Sequence, residues 1–235
     1  MTLVHTILVP GLACSAGVYG HVLPALWAHG AVTVADTRRD DSIGAMADRL
    51  LRSAPDRFAL VGVSMGGYVA LEVVRRAPSR VSGLGLVSTT ARPDGPDQIA
   101  GRRAQAAATR DGRYAAVVDG AFPVLVDPSH RDDAELLDTW RRLAHEVGPD
   151  AFVRQLRACI DRHDSRPLLP EITCPVTVVH GLGDQLLPVD LARETAAAIR
   201  GASLALIPDA GHMALQENPG AVAAALDELL HAAAG

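Results

Sequence analysis

The sequence predicts an α/β protein: a mostly parallel sheet of six strands flanked by helices, with a helical insertion between the fourth and fifth strands. Three observations predict it. Short, nearly unbroken apolar runs recur along the chain, which is the pattern of strands buried on both faces. Helical periodicities separate these runs, so strand and helix alternate. From 91 to 170 the alternation stops, a stretch far longer than a simple crossover needs. The expected division is therefore residues 1–90 and 171–235 as a core and 91–170 as a helical cap.

The elements follow in order. His5 to Val9 is the first apolar run, ending at Pro10-Gly11. Residues 18–29 place Val18, Val22, Leu23, Leu26 and Trp27 at helical spacing, with Gly30 as a stop. Ala31 to Ala35 is the second strand, and Ser42 caps a helix whose Ile43, Met46, Ala47, Leu50 and Leu51 form one stripe. The run from Phe58 leads into Gly62, and the helix after it runs to Ala77, where Pro78 stops it. Val81 to Val87 is the fourth strand. The insertion reads as three or four helices. One starts near Ser129 and carries Leu136, Trp140, Leu143 and Val147; another starts at Pro149 and carries Phe152, Leu156, Cys159 and Ile160. Pro175 to His180 and Ser203 to Ile207 are the last two strands, with a helix from Pro188 to Arg200 between them. A final helix opens at Asn218-Pro219 and presents Val222, Ala225, Leu226, Leu229 and Leu230.

Composition bounds the function. The 235 residues are 49% hydrophobic and 21% charged, enough to bury a sizeable core. A net charge of −5 without a basic tract argues against nucleic acid as a partner. No apolar run reaches the length of a membrane span, and Met1-Thr2-Leu3-Val4-His5 lacks the marks of a signal peptide. Cys14, Cys159 and Cys174 are odd in number and far apart, as reduced intracellular thiols are. No Cys or His cluster has zinc-like spacing. The expectation is a cytoplasmic monomer or homodimer that acts on a small molecule, with no cofactor and no metal.

The chemistry centres on Gly62-Val63-Ser64-Met65-Gly66, a Gly-x-Ser-x-Gly between a strand and a helix. Such a turn lifts a serine hydroxyl clear of the sheet and aims the next amide, that of Met65, at a developing oxyanion. Two further residues follow later strands. Asp184 lies in Gly181-Leu182-Gly183-Asp184, and His212 lies in Asp209-Ala210-Gly211-His212-Met213. In a parallel sheet these loops leave at the same edge as Ser64. Ser64, Asp184 and His212 are thus candidates for nucleophile, acid and base. Asp94, after the fourth strand, is the alternative acid, and His180, ending a strand, reads as a core histidine.

With these motifs the chain resembles the α/β-hydrolase superfamily over essentially its whole length. The marks are the Ser64 elbow, the Asp184 loop, Gly211-His212 before Glu217-Asn218-Pro219, and Asp164-Ser165-Arg166-Pro167-Leu168, similar to the return from the cap in small members. The resemblance implies a Ser-His-Asp hydrolase whose oxyanion hole uses the backbone amides of Met65 and Leu12. Many relatives carry His-Gly where this chain has Pro10-Gly11, and glycines where it has Asp36 to Ser42. The first departure removes a side chain that often braces the hole; the second implies a loop of its own shape. The chain begins almost at the first central strand, so the usual antiparallel leading strands are expected to be absent or reduced.

Candidate substrate contacts are Cys14 in the oxyanion loop and Phe122, Trp140 and Phe152 in the cap. For the cap aromatics and Cys14, packing is the competing role. The implied activity is cleavage of a small ester through an acyl-enzyme. The same triad also serves lyases, including the hydroxynitrile lyases and plant methylesterases that the Gly11-Leu12-Ala13-Cys14 loop loosely resembles. It also serves carbon–carbon bond hydrolases, and hormone receptors retain it.

Overall fold

A computed structural model describes residues 3–235; Met1 and Thr2, at the start of the N-terminal segment read above, lie outside the described residues. The order is β1 (Thr6–Val9), α1 (Leu23–Trp27), β2 (Val32–Val34), α2 (Ile43–Ser53), β3 (Phe58–Val63), α3 (Met65–Arg76) and β4 (Val81–Val87). Then come α4 (Pro96–Ala108), α5 (Tyr114–Leu125), α6 (Ala134–Val147) and α7 (Pro149–Ile160). The chain closes with β5 (Val176–Gly181), α8 (Val189–Ala198), β6 (Ser203–Ile207), α9 (Ala214–Glu217) and α10 (Pro219–Ala233).

The six strands form one sheet in the order β2-β1-β3-β4-β5-β6, and every pairing is parallel. β1, β3, β4 and β5 are buried along their whole length, which is why they read as unbroken apolar runs. One face packs on α2, α3 and α8, through residues such as Met46, Val69, Leu71 and Ala192. The other packs on α1 and α10, through Leu26, Leu226 and Leu229. A third cluster joins the insertion helices to the end of the sheet: Val118, Phe122, Trp140, Phe152 and Leu156 meet Ala13 and Met213. Trp140 satisfies its indole there, donating from Nε1 to the Val118 carbonyl at 2.8 Å.

Two elements differ from the sequence expectation, and one loop takes a shape of its own. The helix expected over 18–29 is a 3₁₀ turn, Ala16–Tyr19, followed by the five-residue α1. Pro24, near its start, lacks an N–H to continue a longer ladder. Trp27, placed on the apolar stripe by periodicity, is 58% exposed. The helix expected near Ser129 begins at Ala134, because Asp133 caps it by accepting from the Glu135 and Leu136 amides. The loop Asp36–Ser42 has no glycine; carboxylate–guanidinium pairs shape it instead, Asp36 with Arg38 and Arg39 and Asp40 with Arg49.

Candidate active site

Ser64 occupies the turn between β3 and α3 at φ 52° and ψ −116°, a conformation that side-chain-bearing residues seldom adopt. Tertiary bonds hold it there. Its N–H donates to the Val87 carbonyl at 2.9 Å, and its own carbonyl accepts from the Gly67 amide at 2.9 Å and from Thr89 Oγ1 at 2.8 Å. The hydroxyl projects at the C-terminal edge of the sheet, where the loops after β5 and β6 also emerge.

Those loops deliver the other two candidates. His212 Nε2 lies 2.9 Å from Ser64 Oγ, and His212 Nδ1 lies 2.8 Å from Asp184 Oδ2. A carboxylate only accepts, so Nδ1 carries the proton and Nε2 is free to accept from the serine. Asp184 is itself pinned: its Oδ1 accepts the amides of Leu186 at 2.9 Å and Leu187 at 2.8 Å. Burial pushes the Asp184 carboxyl up, but the pairing with His212 and the Leu187 amide outweighs it and holds the group below its ordinary range. It therefore stays ionised beside the imidazole.

His180 does not join the chain as a base. Its Nε2 donates to the Leu187 carbonyl at 2.9 Å, 3.5 Å from Asp184 Oδ2. Burial drags its pKa down despite that neighbour, so it stays neutral and supports the Asp184 loop. Asp94 is elsewhere occupied: its fully buried carboxylate is shared by Arg102 and Arg162.

The loop after β1 faces Ser64. The amides of Leu12 and Met65 have no backbone acceptor among the described residues, and Met65 opens α3, at the positive end of its dipole. Ala13, the next residue, is held at φ 56°. Its N–H donates to Gln155 Oε1 at 3.0 Å, and Gln155 Nε2 reaches the Thr37 carbonyl at 3.3 Å. Gln155 is a wholly buried residue of α7, so a helix between β4 and β5 braces the loop after β1. Sequence reasoning missed it; the available signal was an amide within the otherwise apolar face of α7. Glu217 ends the short helix α9, five residues after His212. Its buried carboxylate accepts the Gly211 amide at 2.8 Å and the Asp127 amide at 2.6 Å, tying the His212 loop to the end of α5.

A cavity of about 560 Å³ opens at Ser64 and His212. Leu12, Cys14, Met65, Trp140 and Phe152 line it. Phe122 does not; it is buried in the same apolar cluster as Trp140. Burial pushes the Cys14 thiol up to about 12, so it faces the cavity as a small neutral group. Away from this cavity, His29, Asp227 and His231 bring potential metal-ligand atoms within 4.8 Å of one another. A pairing across 198 residues, His29 with Asp227, is invisible to a search for ligand spacing.

Residues 6–225 match the profile of the Alpha/beta hydrolase family, and the chain belongs to that family. The pimeloyl-[acyl-carrier protein] methyl ester esterase of Aromatoleum aromaticum is 28% identical over 224 residues, 88% of this chain and 86% of the relative. A thermophilic esterase from Thermogutta terrifontis, solved with malate bound, superposes with a TM-score of 0.90 at 27% identity, covering 100% of this chain and 92% of its own. The enol-lactonase from Burkholderia xenovorans LB400 shares the fold, with a TM-score of 0.84 at 23% identity over 98% of this chain and 92% of its own. Among the described residues, no helix is long and apolar enough to cross a membrane.

Proposed function

We propose that the protein is a serine carboxylesterase that cleaves a small ester through an acyl-enzyme, with Ser64 as nucleophile, His212 as general base and acid, and Asp184 as its orienting carboxylate. The observation that carries the reading is the unbroken chain Ser64 Oγ–His212 Nε2 at 2.9 Å and His212 Nδ1–Asp184 Oδ2 at 2.8 Å. The two esterase relatives support the ester as the bond cleaved.

The steps follow from this arrangement. Ser64 Oγ attacks the ester carbonyl carbon as its proton passes to His212 Nε2. The carbonyl electrons move onto oxygen, and the Leu12 and Met65 amides receive that oxyanion; in such sites one donor is worth about 2.7–4 kcal/mol. Collapse expels the alcohol, which takes the proton from His212. Water then repeats the sequence on the acyl-enzyme and releases the acid. Helices α4–α7 act as a cap whose inner face walls the cavity and excludes water. They select the substrate without supplying the chemistry. The substrate is a small molecule met in the cytoplasm, and no step calls on a cofactor.

A fluorophosphonate is expected to label Ser64 once per chain, read by peptide mass mapping, and Ser64→Ala is expected to remain folded and unlabelled. Labelling at another residue, or none on folded protein, would overturn the reading. Burst kinetics with p-nitrophenyl acetate then separate an acyl-enzyme esterase from a lyase using the same groups as base. A single slow turnover would indicate a receptor.

Gln155→Leu tests the brace on the oxyanion loop. It leaves the buried Ala13 N–H without a partner, a cost of about 1–3 kcal/mol. The expected result is a kcat for p-nitrophenyl acetate about tenfold or more lower, with a smaller change in KM. A folded variant with the parent kcat would show that the loop holds its geometry without α7.

A further inference from the structure

The charges buried under α4 do not balance. Asp94 has a side chain with no exposed surface, and two guanidiniums share it: Arg102 Nε at 2.5 Å and Arg162 Nη1 at 2.7 Å. All three guanidinium nitrogens of Arg162 are engaged. Its Nε and Nη2 donate to the Arg92 carbonyl and its Nη1 to that of Cys159, and it stacks 4.0 Å above the Tyr68 ring. Arg102 is not. Only its Nε and Nη2 are committed, both to Asp94, and Nη1 has no acceptor among the described residues. Arg102 also lines the cavity that opens at Ser64 and His212.

Among the described residues, no carboxylate lines the cavity to supply the missing negative charge. Tyr68 and Cys159 are ionisable groups that share the cavity wall with Arg102. Burial pushes both up, so both are neutral near pH 7. Asp184 is fully buried, is held by His212, and is not on the cavity wall. One turn before Arg102 on α4, Gln98 also lines the cavity. Its Oε1 accepts the Gly95 amide at 2.9 Å, which leaves its NH₂ group to donate. The rest of the wall is largely apolar, and an uncompensated cation at the edge of such a space attracts an anion far more strongly than one in water.

We propose that Arg102, with Gln98, is a subsite for a carboxylate carried by the substrate remote from the scissile ester, so that the preferred substrates are half-esters of dicarboxylic acids. This deepens the esterase reading and rests on it. A carboxylate fits better than a phosphate, because the cluster carries one net positive charge and offers one open guanidinium nitrogen and one amide. Arg102 is a specificity-determining residue and takes no part in bond cleavage.

The test uses two methyl esters of matched length, monomethyl adipate and methyl hexanoate. Binding is measured by calorimetry on Ser64→Ala protein, and turnover on the parent. Monomethyl adipate is expected to bind about tenfold tighter or more at low salt. Arg102→Gln should cut that preference about tenfold, Arg102→Lys should keep part of it, and molar salt should weaken it. In turnover the preference should reside in KM. Equal preference in the parent and in an Arg102→Gln protein of parental circular dichroism and melting temperature would overturn the subsite. So would a parent that prefers the neutral ester. If Arg102→Gln does not fold, Gln98→Leu and the salt titration decide, and a preference indifferent to both refutes the proposal. A preference that persists in binding when neither ester is turned over and Ser64 resists labelling would sink the esterase reading and leave the subsite standing.

Discussion

Asp184→Asn is expected to lower kcat about 10⁴-fold, as the equivalent change does in the best-characterised Ser-His-Asp site, while leaving the fold intact. The two residues are nearly isosteric, so the amides of Leu186 and Leu187 still find an acceptor in the side-chain oxygen. The other end of the side chain then presents an NH₂ donor to His212 Nδ1, where the carboxylate accepted at 2.8 Å. The imidazole is driven to the tautomer with its proton on Nε2 and can no longer accept from Ser64. The imidazolium formed during attack also loses its counter-charge. Steady-state kinetics with p-nitrophenyl acetate, beside a thermal melt, check both halves of the expectation.

Asp94→Asn is the informative control, because Asp94 is the alternative acid offered by the sequence. It touches neither Ser64 nor His212, and its loss leaves Arg102 and Arg162 without a counter-ion in a buried setting. Breaking a buried ion pair from one side costs about 3–5 kcal/mol. The variant should therefore lose stability far more than intrinsic turnover, the reverse of Asp184→Asn. If the folded fraction of Asp94→Asn is the one that loses about 10⁴ in kcat, the acid has been assigned to the wrong residue.

The core of this architecture was legible because parallel strands leave a double imprint: apolar runs buried on both faces, and loops that all emerge at one edge. That is how Ser64, Asp184 and His212, separated by up to 148 residues, could be grouped before any coordinates. The illegible parts depend on partners distant in sequence and unmarked by any period. Gln155 looks like a stray amide until α7 is laid over the β1 loop, 142 residues away. Asp94 looks like a triad candidate until α4 and the segment after α7 place two arginines on it. Phe122 and Trp140 join one apolar cluster from two helices, and only the packing decides that Trp140 reaches the cavity while Phe122 is covered. Trp27 obeyed the helical period on a helix too short to carry its stripe through.

Gly66→Ala is expected to cost about 3 kcal/mol or more, at the upper end of overpacking effects, and to lower the melting temperature by about 6–12 °C. The cause is the close crossing of α3 over the end of β1. A methyl group on Gly66 would overlap the Val9 carbonyl oxygen and would come within 2.7 Å of the Val9 carbonyl carbon and 2.9 Å of the Pro10 oxygen. All three are backbone atoms, so no side chain can rotate away. That Val9 carbonyl also accepts the Tyr19 hydroxyl at 2.8 Å, which further fixes its position. Relief requires α3 to lift off the sheet or the strand end to retreat. The first shifts the Ser64 turn and the second shifts the loop that carries Leu12, so the soluble fraction should lose activity as well as stability. Gly220→Ala supplies the contrast. Gly220 lies exposed in the first turn of α10 with no atom within 4 Å of the added methyl. There the same substitution only removes freedom from the unfolded chain, a gain of about 0.4–1 kcal/mol. Opposite signs for one chemical change, read by denaturant unfolding of the two proteins, would place the requirement for glycine in the β1–α3 crossing. A Gly66→Ala protein that unfolds with its parent would show that the crossing can open without cost.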